Sequence, residues 1–261
     1  MELKCQSDAL LQLRKLAESR HHSILIDGCT GCGKTYLASR YAAFLNISDF
    51  HLINPTVQEI RQSIDACSCL STDTVLCIEN LDTGVPGAAY TLLKFLEEPR
   101  SNIYVVVTCR SIAKVPDTIV SRSVCLSTCP PIDLDLIQYA ISVDEKTFRK
   151  RADCLVWRCM RTFTDVMKFL KMTDDNINYL SELSSKLRTN EPISSLSWML
   201  SKFPDGSELP IEISIRVVLE SNRTNTYIQK CGIQCINDVT SSRISTNAAL
   251  SKFLMEYKYG C

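Results

Sequence analysis

The sequence predicts an α/β protein in which a parallel sheet is followed by mainly helical segments. Three observations predict it. Short apolar runs alternate with helical stretches through the first half of the chain, which is the pattern of parallel strands covered by helices on both faces. A glycine-rich loop follows the first of these runs. After Pro130 and Pro131 the apolar residues recur mainly at helical spacing, and a double proline is typical of a linker.

The first half contains the predicted strands and the helices between them. The strand runs are short, apolar and rich in β-branched residues, and the helical stretches place apolar residues three or four positions apart. Pro99 ends the last helix of this half, because a proline disfavours helical backbone at the residue before it. The predicted strands are residues 23–27, 74–78, 103–108 and 123–126, and the predicted helices are residues 34–45, 57–66 and 88–97.

The second half is predicted to be helical and to divide again near Thr173. Residues 212–219 look extended and could be misread as a strand, but we expect a helix there. We therefore expect a sheet domain at residues 1–130, a small helical domain at 131–172 and a helical C-terminal domain at 173–261. The predicted helices are residues 132–141, 145–160 and 164–171, then 177–187, 193–203, 211–222 and 247–257.

Composition excludes several classes of protein. The 29 Lys and Arg residues balance 29 Asp and Glu residues, so the chain is not a polycation that coats nucleic acid by bulk electrostatics. No apolar run approaches the roughly 18 residues of a membrane-spanning helix. The N-terminus lacks the apolar core of a secretory signal. We expect an intracellular, cytoplasmic protein with no membrane partner.

The 14 cysteines predict neither a disulfide scaffold nor a zinc site. Disulfide scaffolds are typical of short secreted chains. The single C-x-x-C pair is formed by Cys29 and Cys32, and a four-thiolate zinc site needs a second pair. We expect reduced thiols that pack mostly as small apolar residues.

The glycine-rich loop has the G-x-x-x-x-G-K-S/T pattern of a phosphate-binding loop. It lies between a buried strand and a helix start, where glycines let the backbone N–H groups turn into one concavity and the helix dipole attracts phosphate. Lys34 is expected to reach the β and γ phosphates of a nucleotide, and Thr35 to offer its hydroxyl to Mg²⁺. Cys29 and Cys32 are either small space-filling residues or a redox control of the loop. The motif residues are Gly28, Cys29, Thr30, Gly31, Cys32, Gly33, Lys34 and Thr35.

Polar side chains follow the predicted strand at residues 74–78. Glu79 occupies the place where P-loop enzymes hold Mg²⁺. In hydrolysing proteins of the AAA+ class the next residue is usually a glutamate that polarises the attacking water, and here it is Asn80. An amide can orient water but cannot accept its proton at neutral pH, so the sequence supports nucleotide binding better than hydrolysis. Asp82 is a second acidic candidate for this role, and Glu79 with Asn80 could instead form a helix-capping turn.

Several motifs together resemble the clamp-loader branch of the AAA+ ATPases. Residues 79–82 read E-N-L-D, residues 92–99 read L-L-K-F-L-E-E-P, and residues 115–123 read V-P-D-T-I-V-S-R-S. The last run resembles the family pattern L-P-x-T-I-x-S-R-C, and residues 105–109 resemble the family's sensor-1 strand. The resemblance is strongest to the bacterial delta-prime and gamma/tau subunits of the DNA polymerase III clamp loader, and it is dense over residues 20–135.

This resemblance implies a P-loop AAA+ domain at residues 1–130, a small helical lid at 131–172 and a helical collar at 173–261. It implies a subunit of a hetero- or homo-oligomeric ring that uses ATP and Mg²⁺ to open a sliding clamp and place it on primer-template DNA. Arg122 matches the arginine that such subunits insert in trans into a neighbour's nucleotide site. A guanidinium at the γ phosphate can accelerate hydrolysis by about 10³–10⁵.

The sequence also departs from the family pattern. Ser123 replaces the cysteine after the arginine, and the zinc-binding insertion of the bacterial members is missing. Sensor 1 is either Thr108 or Cys109, and we prefer Thr108 because its hydroxyl can hydrogen-bond a phosphate or a water. The sensor-2 arginine would fall at Thr164, with Arg161 as a weak substitute one turn away. The short chain suggests a compact phage or mobile-element version.

Three functions stay open at this point. The first is a clamp-loader ATPase that is active only within its assembly. The second, favoured by Asn80, is a non-hydrolysing structural subunit like the delta-prime stator. The third is another P-loop replication protein, such as a helicase loader or a small kinase, which the motifs at residues 92–99 and 115–123 disfavour. The candidates for backbone contacts with DNA are Arg61, Arg100, Arg110 and Lys114.

Overall fold

The computed structural model describes residues 3–69, 71–154, 156–188, 211–221, 226–240 and 252–253. The chain forms two compact units, Met1–Asp135 and Leu136–Cys261. Their boundary lies close to the predicted domain end at residue 130. The predicted domains at residues 1–130, 131–172 and 173–261 stay a prediction. The predicted helix at 193–203 and most of that at 247–257 lie outside the described residues.

The first unit alternates strands with helices. β1 is Ser23–Asp27, β2 is Asp49–Ile53, β3 is Thr74–Ile78, β4 is Ile103–Cys109 and β5 is Val124–Ser127. The helices are α1 Ser7–Glu18, α2 Lys34–Phe44, α3 Val57–Ser68, α4 Pro86–Glu97 and α5 Asp117–Val120, and 3₁₀ turns occur at Lys4–Gln6, Leu81–Thr83 and Ile112–Lys114.

These strands form a five-stranded parallel sheet in the order β2-β3-β4-β1-β5. The register pairs Asp27 of β1 with Cys109 of β4, and Ile78 of β3 with Val107 of β4. The carboxyl ends of β1, β3 and β4 therefore meet at one edge of the sheet, which is where open α/β sheets bind their ligands. This edge carries the glycine-rich loop and Glu79.

The core of this unit has two layers, one on each face of the sheet. β3 and β4 are buried along their whole length, because helices cover both of their faces. The layer beneath α3 and α4 is built on Leu25, Leu76, Val105, Ile60 and Leu92, and the layer beneath α1 and α2 is built on Ile24, Val75, Val106, Leu13 and Leu37. The predicted parallel sheet with helices on both faces is confirmed.

Strand β2 is the element of the sheet that the sequence does not predict. It lies at the edge of the sheet, so it needs apolar residues on fewer positions than a central strand does. Its Asp49 and His51 are polar, its Leu52 is 55% exposed, and its last residue, Ile53, is buried. Neither a continuous apolar run nor a regular alternation results.

In the second unit, all the described elements are helical. α6 Asp133–Arg151 begins just before the unit boundary and is kinked at Asp144. The predicted helix at 145–160 is too long, because α6 ends at Arg151 and a 3₁₀ turn follows at Trp157–Cys159. Residues 212–219, which could be misread as a strand, lie in a helix, as predicted. The remaining helices are α7 Phe163–Lys171, α8 Asp174–Arg188, α9 Ile211–Ser221 and α10 Thr226–Thr240.

Aromatic packing and one buried ion pair hold these helices together. The Trp157 ring lies 4.8 Å from that of Phe148 and 5.5 Å from that of Phe169, measured between centroids. Arg216 of α9 donates to the buried carboxylate of Asp165 in α7 at 2.6 Å. Within the described part of the chain, every helix is too short or too polar to cross a membrane.

Candidate nucleotide-binding site

The phosphate-binding loop connects β1 to α2, as the motif predicts. Gly33 caps the helix with a φ of 103°, a left-handed conformation that glycine adopts without steric cost. Gly28 lies so close to the end of β5 that a Cβ there would come within 1.7 Å of the Thr128 hydroxyl oxygen. Both glycines are therefore required by the backbone path of the loop.

Lys34 lies at the centre of this loop. Its side chain is 7% exposed, and its ammonium donates to the carbonyl oxygens of Gly28 at 2.7 Å and Cys29 at 2.9 Å. A phosphate would be a stronger partner than these neutral carbonyls, because hydrogen bonds between two charged groups are shorter and stronger. The geometry thus holds one positive charge where the loop would receive the phosphates.

The two predicted Mg²⁺ ligands are in direct contact. The Thr35 hydroxyl donates to a carboxylate oxygen of Glu79 at 2.6 Å, although the two residues follow different strands of the sheet. A hydroxyl and a carboxylate are oxygen ligands of the kind that Mg²⁺ binds, and the ion normally takes its other ligands from phosphate and water. These residues therefore fit Mg²⁺, which would supply charge neutralisation at the phosphates.

Thr108 fixes the turn that carries Asn80. Its buried hydroxyl accepts the backbone N–H of Asn80 at 2.9 Å. Asn80 has a φ of 48°, which asparagine tolerates better than most residues. The adjacent Cys109 faces a different partner, since its thiol lies 3.6 Å from a carboxylate oxygen of Asp27. Thr108 is thus the residue of the pair that contacts the end of β3, and its sensor role stays a prediction.

Asp82 has a structural partner. One of its carboxylate oxygens accepts the backbone N–H of Arg110 at 3.0 Å, so the carboxylate joins the 3₁₀ turn after β3 to the loop after β4. This contact explains an acidic residue at this position without a role in proton transfer.

Arg122 lies near the amino-terminal ends of the strands, whereas the phosphate-binding loop lies at their carboxyl ends. β5 pairs with β1 in parallel, with Val124 opposite Ile24 and Ser127 opposite Asp27. Arg122 precedes the start of β5 and the loop follows the end of β1, so the length of a five-residue strand, roughly 15 Å at 3.3 Å per residue, separates them. The structure therefore does not bring Arg122 together with the other predicted site residues of its own chain.

The Arg122 side chain is exposed and held by two acceptors. Its guanidinium donates to the Glu97 carboxylate at 2.9 Å and to the Thr118 carbonyl at 2.9 Å. It borders a cavity of about 360 Å³ whose polar lining includes His21, Ser121 and Ser123. Glu97 belongs to the E-E-P motif, so the two motifs that carried the resemblance meet in space.

Gln6 is a contact of the loop that sequence reasoning missed. Its side chain is 1% exposed and donates to the carbonyl oxygen of Cys32 at 3.1 Å. It precedes α1, far from the loop in sequence, and no motif marks it. Burial of a polar side chain is visible in the structure alone.

Comparison with known proteins gives a family match over part of the chain and a likeness in fold over most of it. Residues 49–131 match the family model described as DNA polymerase III, delta subunit. A solved structure of a DNA polymerase III gamma subunit-related protein from Thermotoga maritima covers 95% of this chain and 98% of its own, with a TM-score of 0.60 at 16% identity. The chain thus has an AAA+ fold, and about a third of it, residues 49–131, is similar to the DNA polymerase III delta subunit family. The residues matched by the family model include Glu79, Thr108 and Arg122, whereas the phosphate-binding loop precedes them.

Other solved structures share the fold. One point mutant of RuvB from Thermotoga maritima covers 97% of this chain and 87% of its own, with a TM-score of 0.53 at 13% identity. A second point mutant of the same protein covers 96% of this chain and 81% of its own, with a TM-score of 0.51 at 13% identity. None of the curated proteins matches the sequence. At these identities the structures show the AAA+ fold alone.

Proposed function

We propose that this protein is a clamp-loader subunit that binds ATP with Mg²⁺ and, within an oligomeric ring, helps to open a sliding clamp and load it on primer-template DNA. The observation that carries the proposal is the division of polar groups between two edges of one sheet. Lys34, Thr35 and Glu79 gather at the carboxyl edge, and Arg122 is exposed at the other. In the proposed ring, Arg122 of one subunit would face Lys34, Thr35 and Glu79 of the next.

ATP binding follows from the groups at the carboxyl edge. The loop N–H groups and the Lys34 ammonium would bind the β and γ phosphates. Thr35 and Glu79 would hold Mg²⁺, and Thr108 keeps Asn80 in place beside them. Asn80 can orient a water by hydrogen bonding but cannot take its proton. We therefore expect slow or no turnover by the isolated chain.

Arg122 is proposed to act in trans on a neighbouring subunit's ATP. Its pair with Glu97 is exposed, with 37% and 47% of the two side chains accessible, and such surface pairs contribute only about 0–1 kcal/mol. A γ phosphate carries more negative charge than a carboxylate and accepts both arms of a guanidinium. The guanidinium can therefore leave Glu97 for the phosphate of a docked neighbour at little cost.

The alternative is a non-hydrolysing structural subunit of the same complex, like the delta-prime stator. Asn80 favours it, because the usual proton acceptor is missing. An intact loop around Lys34 favours retained nucleotide binding in either case. The ATPase subunit and the structural subunit would have the same other partners: further clamp-loader subunits, a sliding clamp and primer-template DNA. We also propose a cytoplasmic location, where the free thiols would stay reduced.

ATP hydrolysis in defined mixtures tests the proposal. It should be measured for the chain alone and with candidate partner subunits, sliding clamp and primed DNA. We expect turnover to appear in the mixture and to fall by at least about 10³ with Arg122→Ala, with Arg122→Lys giving little recovery because lysine lacks the planar fork.

The matched control is Arg149→Ala, which removes another exposed arginine that pairs with a glutamate, Glu145. It should leave turnover unchanged. Tight ATP binding without turnover in any mixture would favour the structural subunit, and absence of ATP binding by the wild-type chain would contradict both forms of the proposal.

A further inference from the structure

The side chain of Gln6 joins two segments that lie far apart in the sequence. Its Nε2 atom donates to the carbonyl oxygens of Cys32 at 3.1 Å and Cys129 at 2.7 Å. Its Oε1 atom accepts the backbone N–H of Cys129 at 3.3 Å. Cys32 lies in the phosphate-binding loop, and Cys129 lies in the segment that leaves β5 and leads to Pro130 and Pro131. Both N–H groups of the Gln6 carboxamide and its oxygen atom therefore have hydrogen-bond partners.

A second group of contacts holds the same two segments together. The Thr128 hydroxyl donates to the Asp27 carbonyl oxygen at 3.0 Å and lies 3.0 Å from the Cys32 sulfur. The Thr128 backbone N–H also donates to the Asp27 carbonyl oxygen, at 2.8 Å. The close approach of Thr128 is possible because Gly28 has no Cβ. The segment after β5 therefore packs directly on the loop, and Gln6 hydrogen-bonds to both.

The Cys32 contact has a consequence for phosphate binding. The Cys32 carbonyl and the Gly33 N–H belong to one planar trans peptide unit, so they point in opposite directions. A hydrogen bond that fixes the carbonyl toward Gln6 therefore also fixes the N–H so that it points away from Gln6. Gly33 is the N-cap of α2, and N–H groups at this position are the ones that bind phosphate in such loops.

We propose that Gln6 is a positioning residue of the nucleotide site: it fixes the peptide between Cys32 and Gly33 for phosphate binding, and it transmits occupancy of the loop to the segment at Cys129. This inference rests on the proposed ATP binding. Any displacement of the Cys32 peptide by bound phosphate changes the geometry of one N–H of Gln6. Its other N–H and its oxygen are bonded to Cys129, so the change reaches that segment through a single buried side chain.

The test compares Gln6→Met with the wild-type full chain. Methionine keeps the length of the side chain and removes all three hydrogen bonds. We expect the Kd for ATP with Mg²⁺ to rise about tenfold, the effect of losing roughly one net hydrogen bond at the loop. In hydrogen–deuterium exchange, ATP should change the protection of the Thr128 and Cys129 amides in the wild type, because the two prolines that follow have no N–H to exchange. In Gln6→Met at saturating ATP this change should be absent.

Two further variants keep the test decisive. Gln12→Met replaces an exposed glutamine on α1 and should behave as the wild type in both measurements. Gln6→Glu keeps the shape and the acceptor but loses both donors, so it should also weaken ATP binding. Circular dichroism checks that each variant is folded. If Gln6 were merely structural, its substitution would lower the melting temperature without removing the ATP-dependent change at the Thr128 and Cys129 amides.

Wild-type ATP affinity in both Gln6 variants, or an unchanged ATP response at the Thr128 and Cys129 amides in Gln6→Met at saturation, would overturn the inference. Failure of the wild-type chain to bind ATP is a different result. It would appear equally in Gln12→Met and would contradict the proposed function itself, and this inference with it.

Discussion

A single hydrogen bond fixes the backbone of the loop after β3 at the candidate nucleotide site. Asn80 is in a left-handed backbone conformation, and its N–H is taken by the buried hydroxyl of Thr108. A buried donor without an acceptor costs about 1–3 kcal/mol. The conformation of Asn80 therefore depends on one oxygen of the neighbouring strand.

Thr108→Val should destabilise the protein by about 1–3 kcal/mol, because valine has nearly the same shape as threonine but leaves the Asn80 N–H without its acceptor. Urea unfolding measures this as a shift in midpoint. The control is Thr91→Val, whose hydroxyl donates to the Gly87 carbonyl one turn back in α4, and which should cost less because that carbonyl stays within the helix. Equal losses for both variants would assign Thr108 no special role.

At the scale of elements, sequence patterns predict most of the sheet because burial on both faces requires continuous apolar runs. β3 and β4 are such strands. The loop motif likewise predicts its own geometry, since the two required glycines and Lys34 lie within a few residues of one another. The sequence does not predict β2, because an edge strand can contain polar residues such as Asp49 and an exposed Leu52, which interrupt the apolar pattern.

Contacts between distant elements are the part that the sequence could not supply. Gln6 reaches Cys32 and Cys129 across long stretches of chain, and the pairing of Arg122 with Glu97 needs α4 and α5 side by side. Local periodicity carries no information about such pairs. The resemblance indicated that Arg122 acts in trans, but its separation from the loop follows from the register of β1 and β5.

Burial in the central strands should also control thiol chemistry. Burial, together with the charge of Glu79, raises the pKa of the Cys77 thiol in β3 to about 12. A thiol reacts as its thiolate, so at about pH 8, far below this pKa, Cys77 has almost no reactive form. We expect iodoacetamide to modify the exposed Cys69 long before Cys77 in the native protein. Mass spectrometry of timed samples measures both rates.

In urea the labelling rates of Cys69 and Cys77 should become equal, because unfolding removes the burial that raises the pKa of Cys77. Cys109 in β4, whose pKa burial and the nearby Asp27 raise to about 12, should follow Cys77. Equal labelling of Cys77 and Cys69 under native conditions would contradict the buried position of β3.

For the whole molecule, ATP binding and folding of the first unit should be linked. The groups proposed to bind ATP come from the ends of β1 and β3, and these are brought together only when the sheet has formed. A ligand that binds the folded state alone adds about 2.7 kcal/mol of stability at 100 times its Kd. We therefore expect ATP with Mg²⁺ to raise the melting temperature in differential scanning calorimetry.

The size of this stabilisation should depend on Lys34 and on the metal. Lys34→Met keeps the length of the side chain but removes the positive charge at the loop centre, so the ATP-dependent shift should vanish, and chelation of Mg²⁺ should reduce it in the wild type. Lys15→Met, at an exposed position of α1, should shift as the wild type does. An equal shift in Lys34→Met would mean that ATP stabilises the protein from another site, because the ammonium of Lys34 is the positive charge that the loop itself encloses.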